Sequence, residues 1–437
     1  MKSPNEQPNN PESSKQFAHF LNRVLHFTWV RVKESRETIA YVSIILFSTL
    51  LCIILEGLIA DAHTKAAAVV MGSDVMAGND PNVNSALGSG VDASDPYLHI
   101  LVSLRRLKDE NVFFVLFQVF QLYLGVDAIV RQSVIQLMAH TANEFLSMVF
   151  AFAQMGETIR WRSKMNIADE KTNISTDETY FYVALHREIG LAVSLAVLTC
   201  VFAFLCWKLL QQFGWNVYKR IGADLELQGT KKRMKKILQR ARFRLCQIFL
   251  LNLKLDAFFH MIFSVFWIVV MTQEGYLKAS KAGLAWYILH ILLTIVQIPA
   301  IFVARYGICA ECPRMMYLFL LVQALIAVDF VVVLQQSATS WVFWVLAVCL
   351  AIILSISTIF LAIRVMHNFD KGLKPYLELL FSRNYEHNVD PTSGNVQRDN
   401  SWVIDDGDSD QQPPPQQNGA NTPPIVGEKA AQDGHMA

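Results

Sequence analysis

Charge is scarce in this chain. Asp, Glu, Lys and Arg make up 17% of its 437 residues, against about a quarter in soluble proteins. Hydrophobic residues make up 53%, and the mean hydropathy is +0.30. They come in long runs, which excludes an ordinary soluble domain and points to a bilayer as the solvent. Cysteine is sparse too. The seven cysteines are scattered or sit within apolar runs, which is not the spacing of a secreted disulfide framework. Cys309 and Cys312 form one close pair, but structural zinc takes four ligands, so two free thiols and no metal are expected. No HExxH, Walker A, GxSxG or dinucleotide glycine motif occurs, and no carboxylate constellation of a membrane hydrolase. The expectation is a protein that is not an enzyme, holds no cofactor and binds no nucleic acid. The net charge of +1 says little about partners, because the charges are segregated along the chain. No cleavable leader is expected either. The first 38 residues are polar or basic, and the apolar run that follows reads as an uncleaved anchor.

What is present is a series of apolar runs. A span needs about 20 mostly apolar residues, and eight fit: 39–60, 112–130, 134–154, 188–211, 247–271, 283–305, 315–336 and 341–366. The second and third are separated only by Arg131, Gln132 and Ser133, with no Gly or Pro to make a turn. Fused, they would be about 65 Å long at 1.5 Å per residue, twice the hydrocarbon thickness. Seven spans are thus possible and eight expected. Lys and Arg mark the cytosolic side. They cluster before the first span (Arg23, Arg31, Lys33, Arg36), between the fourth and fifth (Lys231 to Arg244) and after the eighth (Arg364, Lys371, Lys374). Eight crossings put all three clusters on one side. The fold class is therefore all-α and integral to the membrane, with both termini cytosolic.

The organisation that follows is a cytosolic arm over 1–38, a polytopic domain over 39–381 and an acidic, Pro- and Gln-rich cytosolic tail over 382–437 expected to be disordered. Residues 61–111 and 155–187 are expected as luminal loops. The second holds Asn173 in Asn-Ile-Ser, a candidate glycosylation site. The basic cytosolic loop 212–246 repeats Met234, Ile237, Leu238, Ala241 and Leu245 at spacings of 3 and 4. That pattern reads as an interfacial helix able to contact anionic lipid, or as a topology-setting charge cluster alone.

Polar residues inside the spans are the functional signal, since ionisable groups in hydrocarbon are expensive. On the fifth span Asn252, Asp256, His260 and Ser264 recur every four residues as one stripe. On the third, Gln136, His140, Asn143, Glu144 and Ser147 make a similar one. Asp127, Gln297 and Asp329 add single groups. Lys254 lies about two turns into its span and reads as a snorkelling anchor at the cytosolic face. Two His–carboxylate pairs can carry protons or a cation, because His titrates near neutral pH. They can equally be interhelical glue. No inverted repeat joins the halves, which counts against a secondary transporter.

Three stretches carry a resemblance: Leu122 to Gln154, Gly214 to Phe263, and Asn368 to Leu377. They resemble an uncharacterised fungal family of multi-pass Golgi apparatus membrane proteins. Its pattern has an Asp–Ala pair before the third span, here Asp127-Ala128, and a Gln soon after, here Gln136. It also has a Lys-Phe-Asp-Phe-Phe string on the fifth span, here Lys254 to Phe259, with Leu255 and Ala257 where aromatics are usual. The resemblance implies a Golgi membrane address and no assigned activity. Two functions from different classes remain. One is a non-catalytic protein organising partners, cargo or lipid through the basic loop and the tail. The alternative is a proton- or cation-handling transporter or channel built on the stripes.

Overall fold

In a computed structural model the residues described are 28–72, 96–172, 176–223, 230–273, 281–337 and 341–369, with a few between 22 and 26. The N-terminal arm to residue 21, the tail beyond 369 and Asn173 lie outside them. Eight long helices follow one another: α1 (Arg36–Gly72), α2 (Pro96–Val130), α3 (Val134–Thr172), α4 (Thr179–Ala223), α5 (Thr230–Gln273), α6 (Lys281–Cys309), α7 (Pro313–Ser337) and α8 (Val342–Met366). No strand occurs among the described residues. Hydrocarbon imposes this, since backbone N–H and C=O groups there must be satisfied within the segment.

The helices close into two rings of four in chain order. In the first, α1 packs on α2, α2 on α3, α3 on α4 and α4 back on α1. In the second, α5 packs on α6, α6 on α7, α7 on α8 and α8 back on α5. The rings meet where α2 and α3 face α5 and α8. An aromatic wall fills that seam: Phe120 stacks on Phe258 at 3.9 Å, and Phe113 lies against Phe150, Phe263 and Phe343.

Seven helices are long and apolar enough to cross a membrane, and α3 is the one left out. Its contacts place it across the same thickness as α2. Gln136, Ser147 and Gln154 of α3 meet Asp127, Gln121 and Asn111 of α2 in turn, so the two run antiparallel, side by side, over the whole apolar part of α2. α3 exposes one narrow line, Met138, Ala142, Phe145, Phe152, Gly156 and Ile159, at heptad spacing. The rest of its surface is covered by four neighbouring helices, so its polarity does not meet lipid. Hydropathy counts that polarity against a span, and packing removes the penalty.

The turn without Gly or Pro is made by Gln132, which takes the left-handed conformation at φ 49°. Ser133 N–H bonds Ala128 O and Gln132 N–H bonds Ile129 O, the paired bonds of a Schellman cap. Glu311, at φ 47°, repeats the device between α6 and α7. A left-handed non-glycine residue costs roughly 1 kcal/mol or more. Gln132→Gly is therefore expected to raise stability by up to about 1 kcal/mol, and Gln132→Val to lower it by at least as much. Thermal unfolding in detergent reads both.

The expected luminal loops are shorter than the sequence suggested. Residues 61–72 continue α1, 96–111 open α2, 155–172 continue α3 and 179–187 open α4. These extensions share a small core of Ala66, Val70, Ile100, Leu104, Trp161, Met165 and Phe181, so the first ring extends as a helical bundle beyond the length of a bare span. Charge hides the helical period of this part in a hydropathy reading. Between α3 and α4, Asp177 accepts from the hydroxyl and N–H of Thr179, and these bonds hold its carboxyl below the usual range. The basic run is not a separate helix, since α5 is unbroken from Thr230 into the span.

Candidate intramembrane polar network

Asp127, near the C-terminal end of α2, is where the ring-to-ring contact at that end is made. Its Oδ1 accepts from Arg131 Nε at 2.7 Å, and its Oδ2 from Lys254 Nζ at 2.9 Å and Gln136 Nε2 at 3.1 Å. Lys254 is thus at the depth expected but has a different partner. Instead of reaching back to headgroups it crosses the seam to a carboxylate, because Asp127 offers a fixed charge within reach. Asp127, Gln136 and Lys254 are also the positions singled out by the family resemblance. Three segments far apart in sequence meet at one side chain.

The α3 stripe faces the inside of the first ring. His140 is fully buried, and its Nδ1 lies 2.8 Å from Tyr41 Oη on α1. The expected bond to Glu144 is not made, since Nε2 and Oε1 are 3.7 Å apart. The reason is room: the ring is held edge-on between Tyr41 and Phe202 and abuts Gly125. Farther along, Gln121 Nε2 reaches Ser147 Oγ at 3.5 Å and Gln154 Nε2 reaches Asn111 Oδ1 at 2.5 Å.

The α5 stripe faces the inside of the second ring, so the two stripes do not meet. Asn252 donates to Thr358 at 2.7 Å. Asp256 accepts from Gln323 Nε2 at 2.8 Å, and the same nitrogen reaches Ser355. Asp256 and His260 stand 3.2 Å apart, but the alignment is too poor for a hydrogen bond, while His260 Nε2 lies 2.9 Å from Ala351 O. Asp329, read as a single group, has a partner that the sequence reading missed. His290 Nδ1 lies 2.6 Å from it, and His290 Nε2 lies 3.2 Å from Ser264 O.

The largest omission is in the half of the first ring away from Asp127. Glu56 on α1, Glu110 on α2, Glu157 on α3 and Glu188 on α4 are each 1% exposed. Glu188 Oε1 accepts from Thr158 at 2.7 Å and lies 3.0 Å from His63. Glu157 accepts from Trp161 Nε1 at 2.9 Å and, across the seam, from the N–H of Val342 at 2.6 Å. Glu110 accepts from Trp341 Nε1. A usable signal existed: Gln154, Glu157, Thr158 and Trp161 continue the period of 136–147, but the third span had been closed at 154. Among the described residues no three His, Cys, Asp or Glu side chains lie close enough to hold a metal ion. Cys309 and Cys312 are free thiols flanking the α6–α7 turn.

No family model and no solved structure matches this chain. A UPF0658 Golgi apparatus membrane protein of Schizosaccharomyces pombe is 20% identical to it over 286 residues, covering 59% of this chain and 74% of that one. Its name fits the resemblance carried by the Asp127, Gln136 and Lys254 segments. With seven helices long and apolar enough to cross a membrane, the chain is a multi-pass membrane protein similar to that Golgi apparatus membrane protein.

Proposed function

We propose that the protein handles protons within the Golgi membrane and is not an enzyme. The observation that carries this is the titratable column inside the first ring. Tyr41, His140, Glu144, Glu56, Glu188, His63, Glu157 and Glu110 are all buried to 1% exposure or less and lie along one bundle interior. Interhelical hydrogen bonds in membranes contribute about 0.6 kcal/mol each on average. Asn, Gln, Ser or Thr would supply that without the cost of burying acids. Groups that exchange protons have a reason to be acids and histidines. The α5 stripe is more fully bonded and reads as glue.

The test is Golgi luminal pH, followed with a targeted sensor in cells lacking the protein. Rescue uses wild type, Glu144→Gln or Asp256→Asn, each checked for amount and location. Loss of the protein is expected to shift the pH, with Glu144→Gln failing to restore it and Asp256→Asn restoring it. An unchanged pH in the deletion overturns the reading. A second reading, a non-catalytic organiser of partners or lipid, draws on the unbroken α5, which carries its basic run straight out of the span. It gains if deleting 231–241 and the tail abolishes function while luminal pH stays normal.

A further inference from the structure

Of the four glutamates of the first ring, only Glu157 has a donor at both oxygens. Taking a carboxylate out of water costs several kcal/mol unless a cation or several donors compensate it. Arg160 approaches Glu157 only to 4.0 Å. Arg106 lies over the Trp341 ring at 5.6 Å, and Arg187 turns outward to Leu58 O and Asp61. His63 serves Glu188. Glu56 has only the Gln154 amide as a polar partner, and one oxygen each of Glu110 and Glu188 is unbonded. The amide of Gln154, fully buried with Oε1 unbonded, lies against Glu56. A small cation would compensate these oxygens. Since no three of these groups are close enough together to ligate a metal ion, the proton fits.

We propose that Glu56, Glu110, Glu157 and Glu188 form a proton-binding centre whose occupancy sets the grip between the two rings. The proposal rests on the proton-handling reading above. Glu110 and Glu157 belong to the centre and are also the luminal clamp on α8. Glu157 spends both oxygens on N–H donors, Val342 and Trp161. A proton arriving there sits on one of those oxygens, and the hydroxyl it makes is a poorer acceptor for its N–H donor. The other bond weakens too, since a bond to an ionised acceptor is roughly twice as strong as one to a neutral acceptor. Glu56 and Glu188 make no contact of this kind with α8. They reach the clamp through charge, since Glu56, Glu157 and Glu188 all act electrostatically on Glu110. At the cytosolic face Lys254 and Asp127 still hold the rings together. Proton uptake therefore loosens the seam at its luminal end while the other end stays closed.

The full chain, purified in lipid nanodiscs, tests this through the indole of Trp341. The difference in emission between wild type and Trp341→Phe, followed from about pH 8 to about pH 5, isolates that side chain from the other tryptophans. A reversible change is expected as pH falls. Glu56→Gln and Glu188→Gln, which do not touch Trp341, are each expected to move its midpoint by at least about half a pH unit, since removing one acid alters the proton affinity of its neighbours. His63 remains in both, so a shift reports the glutamates. Elution as a monodisperse particle is the folding control, and either variant suffices if the other fails it. A Trp341 signal flat across the range, or one midpoint shared by wild type and both variants, overturns the proposal. A pH-dependent signal with a normal Golgi pH in the deletion would instead remove the transport reading and leave the centre as a pH sensor.

Discussion

Gly125→Ala is expected to cost about 2 kcal/mol and to break the Tyr41–His140 contact. A Cβ at this position would overlap Ile45 Cδ1 on α1 and lie 2.9 Å from both Cδ2 and Nε2 of His140 on α3. Overpacking of a tight core costs typically 1–3 kcal/mol. The two obstacles differ in their freedom. Ile45 presents the far end of an aliphatic chain. His140 is fixed by Tyr41 and by the edge of Phe202, so the histidine is forced off its partner or α2 shifts outward. Gly125→Val should be worse than Ala. Gly125→Ala combined with Ile45→Val should recover part of the loss, because the two sites share one gap. The same change at Gly57, Gly156 or Gly190, where nothing lies within 4 Å of the added carbon, is expected to be neutral or to stabilise by up to about 1 kcal/mol through helix propensity. Unfolding midpoints in detergent for the four alanine variants decide the matter. Equal midpoints would mean that α1, α2 and α3 do not approach as closely as described.

Glu157→Ala is expected to have an effect as large or larger, about 3 kcal/mol. The residue before α8, Trp341, is extended at φ −148° and ψ 102° and offers no side-chain cap of its own. The cap comes from the other ring, where the Glu157 carboxylate takes the Val342 N–H and stands at the positive end of α8. Each hydrogen bond to a charged group contributes about 1.5–3 kcal/mol, and this carboxylate makes two. Glu157→Gln should lose about half as much. Its oxygen can still accept from Val342, but its NH2 then meets the Trp161 N–H, donor against donor. The expected order is wild type, Gln, Ala in the same unfolding assay. Gln no worse than wild type would show that the charge is not needed there.

The sequence was legible where one helix decides the outcome by itself. The apolar runs gave the spans, the Lys and Arg clusters required an even number of them, and four-residue spacing placed Asp256 and His260, or His140 and Glu144, on common faces. It was incomplete where a second helix supplies a partner. Spacing set His140 beside Glu144 and His260 beside Asp256, and they lie 3.7 Å and 3.2 Å apart, but Tyr41 and Ala351 also hold the histidines. Lys254 looked like a headgroup anchor because Asp127 is 127 positions away along the chain. Glu56, Glu110 and Glu188 looked like residues near span ends, since nothing local shows that four helices turn them to one interior.

By itself, then, the sequence determined the solvent, the helical content and the multi-pass character of the chain. These follow from the free energy of single segments in water and hydrocarbon, which composition and period set. Only the tertiary structure decided that the helices close into two rings, that the polar α3 is sheltered among four neighbours, and which acid meets which donor. Those outcomes depend on the packing of surfaces distant in sequence, where a difference of about one ångström separates a hydrogen bond from a mere neighbour.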